Sequence, residues 1–274
     1  MTSTTLQHTP RIPLGDPPAT LRRNDLTGSL PTTFRSEWIK LSTIRSSIAI
    51  LGLTAAIGAS VAFAVAKLMT DEVLLVSEVF VFSTLFTSMI AAVAGILIFT
   101  SEVQYGTLAP TLTAQPTRSM IALSKMAVAA LFGAVLGLAG MSAGFAGAWL
   151  GGLEMGSTPT MLETASWAVL YTSVAAVLGL GVGLIARHSS VAISGLLIWA
   201  LVVENLLDAF IPAEYSRFLP FLAGDEMLGI EVETEATDSI VAVLTRGQGA
   251  LVFGFYAVMA MAIGTILLNR RDTN

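Results

Sequence analysis

Six stretches of this chain, residues 46–66, 79–100, 126–150, 164–186, 191–211 and 249–268, each run for about twenty apolar residues with at most two charges. A bilayer core about 30 Å thick needs a helix of that length to cross it. In lipid each unsatisfied backbone N–H or C=O costs several kcal/mol, so a stretch of this kind must close its hydrogen bonds internally, as a helix does. The expected fold class is therefore an all-α membrane protein with six transmembrane helices. Composition points the same way. Hydrophobic residues make up 54% of the chain and charged residues 12%, about half the charged quarter of a soluble domain. Lipid is then the solvent for most of the chain, and a soluble enzyme is excluded. The 45 mostly polar residues before the first stretch, with no small-residue cleavage pattern behind it, distinguish it from a signal peptide.

The charges sort by loop. With the N-terminus in the cytoplasm, all but three of the 14 Lys and Arg residues fall on the cytoplasmic side, and the exceptions are Lys67, Arg217 and Arg246. Carboxylates dominate the other side. This is the asymmetry that orients membrane proteins, and it places both termini in the cytoplasm.

Several segments are not spans. Residues 1–30 carry Pro10, Pro13, Pro17 and Pro18 with few large apolar side chains, and are expected to form a disordered cytoplasmic tail. In residues 31–45, Phe34, Trp38 and Leu41 share one helical face while Glu37 and Lys40 point elsewhere. This suits an interfacial helix in the headgroup plane, with Arg35, Lys40 and Arg45 meeting anionic lipid. The alternative is a cytoplasmic extension of the first span. In the loop 101–125, Gly106 permits a sharp turn, Thr107 can cap a helix and Pro116 ends one. A short helix over 107–114, lying across the cytoplasmic face, follows from that order, against the alternative of a plain loop. The third span carries Gly133, Gly137, Gly140, Gly144 and Gly147 and the fourth carries Gly179 and Gly183, spacings that let helix backbones approach closely. Glu204 and Asp208 lie four residues apart near the outer end of the fifth span, where a carboxylate must be hydrated, paired or protonated. They either line an outward cavity or have already reached headgroup depth. The outer segment 212–248 mixes aromatics with carboxylates, and its aromatic part is expected to form re-entrant or amphipathic helices before the last span. Its acidic stretch, 231–238, lacks the spacing of an EF-hand.

Catalytic signatures are missing from the sequence. There is no G-x-x-x-x-G-K-[ST] loop to cradle phosphates, no G-x-S-x-G elbow and no H-E-x-x-H. Two histidines and no cysteine give a metal site little to draw on. No metal, cofactor or catalytic residue is expected. The basic residues form no clustered groove for nucleic acid.

The runs SEWIKLSTIRSS, SEVQYGTLAPTLTAQPTRSMIALSK and FLPFLAGDEMLG together resemble the membrane subunits of type-2 ABC exporters, most of all the six-span permeases common in actinobacteria. The resemblance covers about residues 34–271, and its most specific part is the order Glu102, Gly106, Thr107, Pro116, Arg118 and Lys125. It implies a half-transporter in a bacterial cell membrane that pairs with a second permease copy or paralogue. Cytoplasmic ABC ATPase subunits would dock to it and carry ATP and Mg. The ATPase-coupling residues would be Glu102, Tyr105, Gly106, Thr107, Pro116 and Arg118, and the connecting helix would match Phe34, Trp38 and Leu41. The implied function is export of an amphipathic substrate such as a lipid, drug or peptide. The alternatives are a membrane scaffold or sensor that docks an ATPase through the same loop, and an ion-coupled carrier. The central halves of the spans carry no charge, which weighs against the carrier.

Overall fold

The computed structural model describes residues 30–43, 45–69, 74–108, 118–229 and 244–270. The tail 1–29, the expected coupling helix beyond Leu108, Pro116 and the acidic stretch 231–238 lie outside the described residues. Among those described, six helical segments are long and apolar enough to cross a membrane. In chain order the elements are α1 (Leu30–Thr43), α2 (Arg45–Leu68, the first span), α3 (Val76–Val79) and α4 (Ser83–Gln104, the second). They continue with α5 (Arg118–Leu150, the third span), α6 (Thr158–Ala186, the fourth) and α7 (Ser189–Ile198). A π-helical turn, Trp199–Val203, joins α7 to α8 (Glu204–Phe210), and together these make the fifth span. Two short helices follow, α9 (Ala213–Ser216) and α10 (Pro220–Asp225), and α11 (Arg246–Arg270) is the sixth span.

The second, third and fourth spans form the interior, while the first and fifth are mostly exposed at the sides. Small residues set this arrangement. A Cβ on Gly95 would strike the carbonyl oxygen of Ala176, and one on Gly179 would strike that of Ala92. Helices α4 and α6 thus touch backbone to backbone, an approach that dispersion alone rewards where lipid supplies no hydrophobic drive. Gly140, on the glycine-rich face of α5, meets Gly58 of α2 in the same way. Hydroxyls inside the spans bond back to their own helix, as Thr87 Oγ1 does to the Ser83 carbonyl (3.0 Å) and Thr100 Oγ1 to that of Ile96 (2.9 Å). The bundle interior therefore holds many Ser and Thr residues whose hydroxyls are satisfied locally.

Candidate functional site

Gly106 sits where α4 stops, with φ of +69°. The Thr107 N–H bonds the Glu102 carbonyl (2.9 Å) and the Gly106 N–H bonds the Val103 carbonyl (3.3 Å). This paired closure requires a left-handed residue after the cap, which glycine adopts without strain. It turns the chain sharply out of the second span. Tyr105, 77% exposed, Gly106 and Thr107 then stand on the surface at the end carrying α1, while Leu108 folds back onto the core near Phe99 and Phe132.

Directly beneath that turn lies a ring of four charges. Lys125 Nζ reaches Glu37 Oε2 at 2.6 Å and Glu102 Oε1 at 2.8 Å. Lys40 Nζ reaches Glu37 Oε1 at 2.9 Å and the same Glu102 oxygen at 3.3 Å. The Lys125 side chain is 1% exposed and that of Glu37 5%. Two carboxylates thus share two ammonium groups, and the formal charge sums to zero where desolvation would make any excess costly. Burial pushes the Glu37 carboxyl upward, but the charge and hydrogen bond of Lys125, with help from Lys40, hold it below its ordinary value. Burial also disfavours the Lys40 ammonium, yet its bond to Glu37 and the charge of Glu102 bring it out above the usual lysine range. The ring joins α1, the end of α4 and the start of α5.

The sequence face of Phe34, Trp38 and Leu41 is half-buried throughout, and Leu41 packs against the core. The more deeply buried residues of α1 are Thr33 and Glu37 on a neighbouring face. Lys40 points toward the glutamates, so of the cations assigned to lipid only Arg35 and Arg45 lack a described bond to a protein carboxylate. Arg118 donates to the carbonyls of Leu268 (2.8 Å) and Asn269 (3.4 Å), placing its charge at the C-terminal end of the last span, where the helix dipole favours a cation. Glu37, Lys40 and Lys125 complete the ring around Glu102; none is among the expected coupling residues, although Lys125 belongs to the residue order that carries the family resemblance. Their signal was an E-x-x-K pair on an amphipathic helix with a lysine and a glutamate at the matching ends of two spans.

At the opposite end the structure separates Glu204 from Asp208. Asp208 is exposed, whereas Glu204 is fully buried. The π turn brings the Trp199 indole N–H within 2.7 Å of Glu204 Oε1, and Oε2 accepts the N–H groups of Phe221 (2.9 Å) and Leu222 (3.0 Å) at the start of α10. Of the aromatics in the outer segment, Phe221 turns inward, whereas Tyr215 and Phe218 stay exposed. Phe221 reaches Phe253 (centroids 5.6 Å apart), which in turn meets Tyr171 edge-on at 5.3 Å. Tyr171 also donates to Asp225 Oδ1 at 2.6 Å. Burial pushes the Asp225 carboxyl up to about 7; the Tyr171 hydrogen bond opposes the rise and the charges of Glu204 and Glu226 add to it. No group of three or more metal-ligating side chains occurs among the described residues.

Comparison with protein families matches residues 33–204 to the family described as ABC-2 family transporter protein. The matched region begins in α1 and ends at Glu204, so it contains the whole charge ring and the Gly106 turn. No curated protein matches the chain.

Proposed function

From the premise that this chain belongs to the ABC-2 family of transporter membrane proteins, we propose that it is the permease subunit of an exporter driven by separate cytoplasmic ATPase subunits. On this reading it moves an amphipathic substrate across a bacterial cell membrane, works as a dimer with a second permease copy or paralogue, and holds no ATP itself. The observation that carries the reading is the ring of Glu37, Lys40, Glu102 and Lys125 directly below the Gly106 turn. A partner pressing on Tyr105 to Thr107 pushes on the end of α4. Glu102 passes that push to α1 and α5 through charge-assisted bonds, each typically worth about 1.5–3 kcal/mol. Coupling needs such a rigid strut, because a floppy loop would absorb the displacement.

The test is reconstitution in liposomes with the cognate ATPase. Wild type is expected to raise ATP hydrolysis when substrate is present. Gly106→Val, which forces a β-branched residue to positive φ at a cost of about 1–3 kcal/mol, is expected to abolish that stimulation while membrane insertion and dimer formation persist. Glu102→Ala shows a milder loss. Normal stimulation by Gly106→Val places coupling elsewhere, and nucleotide hydrolysis by this polypeptide alone removes the assignment. The same reading puts both termini in the cytoplasm. Single cysteines at Ser157 and Thr237 are then expected to react with an impermeant thiol reagent in intact cells, and cysteines at Thr117 and Thr273 to stay unlabelled, in a background free of cysteine.

A further inference from the structure

A cavity of about 1000 Å³ opens between α1, the first turns of α2, the end of α4 and the start of α5. Its walls change character with depth. Ser36, Glu37, Lys40 and Glu102 line one end, and Ala94, Leu97, Ile98, Val128 and Phe132 line the other. At 1.5 Å per residue, the wall from Glu102 to Ala94 is about 12 Å deep and that from Ile121 to Phe132 about 16 Å. One leaflet of hydrocarbon is about 15 Å, half of the bilayer core. The polar end thus lies at headgroup level on the α1 side and the apolar end reaches the bilayer middle. Ile39 and Ile48, 48% and 65% exposed, stand on α1 and α2 at the polar end, a surface suited to lipid.

The chemistry at the polar end is specific. Glu102 lines the cavity and is 9% exposed. Its Oε1 takes both lysines, whereas its Oε2 is buried with no hydrogen-bond partner among the described residues. A buried carboxylate oxygen left without a donor is costly, and the residue that carries it lines the cavity. The geometry points to a resident lipid of the α1-side leaflet whose head carries a primary ammonium, as phosphatidylethanolamine does. The ammonium donates to Glu102 Oε2, the phosphate lies beside the half-exposed Lys40, and one acyl chain runs between Leu97, Ile98 and Phe132. A choline head has the same charge but no N–H to donate, and a glycerol head brings no cation. The inference concerns a lipid held at rest and does not depend on what the protein transports.

The experiment is lipid retention by the full-length protein, without nucleotide or partner. The chain is exchanged in mild detergent against an equal mixture of phosphatidylethanolamine, phosphatidylcholine and phosphatidylglycerol, and the lipid that remains bound is identified by native mass spectrometry. The ethanolamine lipid is expected to be kept over the choline lipid by about tenfold, the factor for one charge-assisted hydrogen bond. Glu102→Gln is expected to erase that preference. Leu97→Trp, which fills the apolar end and leaves the charge ring in place, is expected to lower total retention at least severalfold. Equal retention of ethanolamine and choline lipids by wild type, a preference for the glycerol lipid, or full retention by Leu97→Trp would overturn the inference. None of these outcomes bears on ATPase coupling, so the two readings fail separately.

Discussion

At the α1 end, Glu37 and Glu102 share the ammonium groups of Lys40 and Lys125. At the other end, Glu204 and Asp225 are bonded to an indole N–H, a phenol and two backbone N–H groups, with no cation in contact among the described residues. Both ends bury carboxylates at the margins of the bilayer. The first neutralises them with opposite charge, so the junction keeps its strength over a wide pH range and tolerates load. The second stabilises them with neutral donors, which leaves a proton as the remaining way to lower the cost of burial.

The largest expected effect breaks the charged end. Lys125→Met leaves two buried carboxylates with only Lys40 between them, and is expected to lower stability by about 3–5 kcal/mol. Lys40→Met removes a side chain that is 47% exposed and should cost about 1 kcal/mol or less. Thermal unfolding in detergent measures both, and equal losses would mean that the ring is not the buried junction its geometry describes.

A smaller effect sharpens the contrast through pH. The Asp225 carboxyl ordinarily titrates near 3.8 and here near 7, so between these values the folded state binds more protons than the unfolded one. Stability is then greatest below the unfolded value and falls as pH rises toward 7, by up to about 2–3 kcal/mol between pH 5 and 8. Burial raises Glu226 as well, which adds in the same direction. Asp225→Asn is expected to flatten the profile. The charged end runs the other way: Glu37 is depressed and Lys40 raised, so their contribution is fully present above the ordinary glutamate value and below the ordinary lysine value. It is lost as pH falls below the first of these or rises above the second. A wild-type profile that stays level from pH 5 to 8 would dissolve the distinction between the ends.

The smallest effect is at Asp208. Being exposed, it should tolerate Asn within about 0.5 kcal/mol, and a larger change in thermal stability would reopen its pairing with Glu204.

The six spans were legible in the sequence because a twenty-residue apolar run has one stable fate in lipid, whatever its neighbours do. The turn at Gly106 was legible for a related reason, since a helix end followed by glycine closes by local bonds alone. The glycine-rich faces of the third and fourth spans announced close packing, but Gly95 stands alone in the second span and shows no period, so its close approach is set only by Ala176 against it. What only the tertiary structure decided is which charges meet. Glu37 and Lys125 are 88 residues apart, and helical periodicity placed Glu37 off the packing face of α1. It is buried because the ends of α4 and α5 bring Glu102 and Lys125 to the same depth. Glu204 and Asp208 likewise share a helix face by spacing, yet only Glu204 meets the free N–H groups of α10, since that helix folds back over one side of the fifth span. Local rules set where each helix runs; long-range electrostatics in a poorly solvated interior set what its polar residues do.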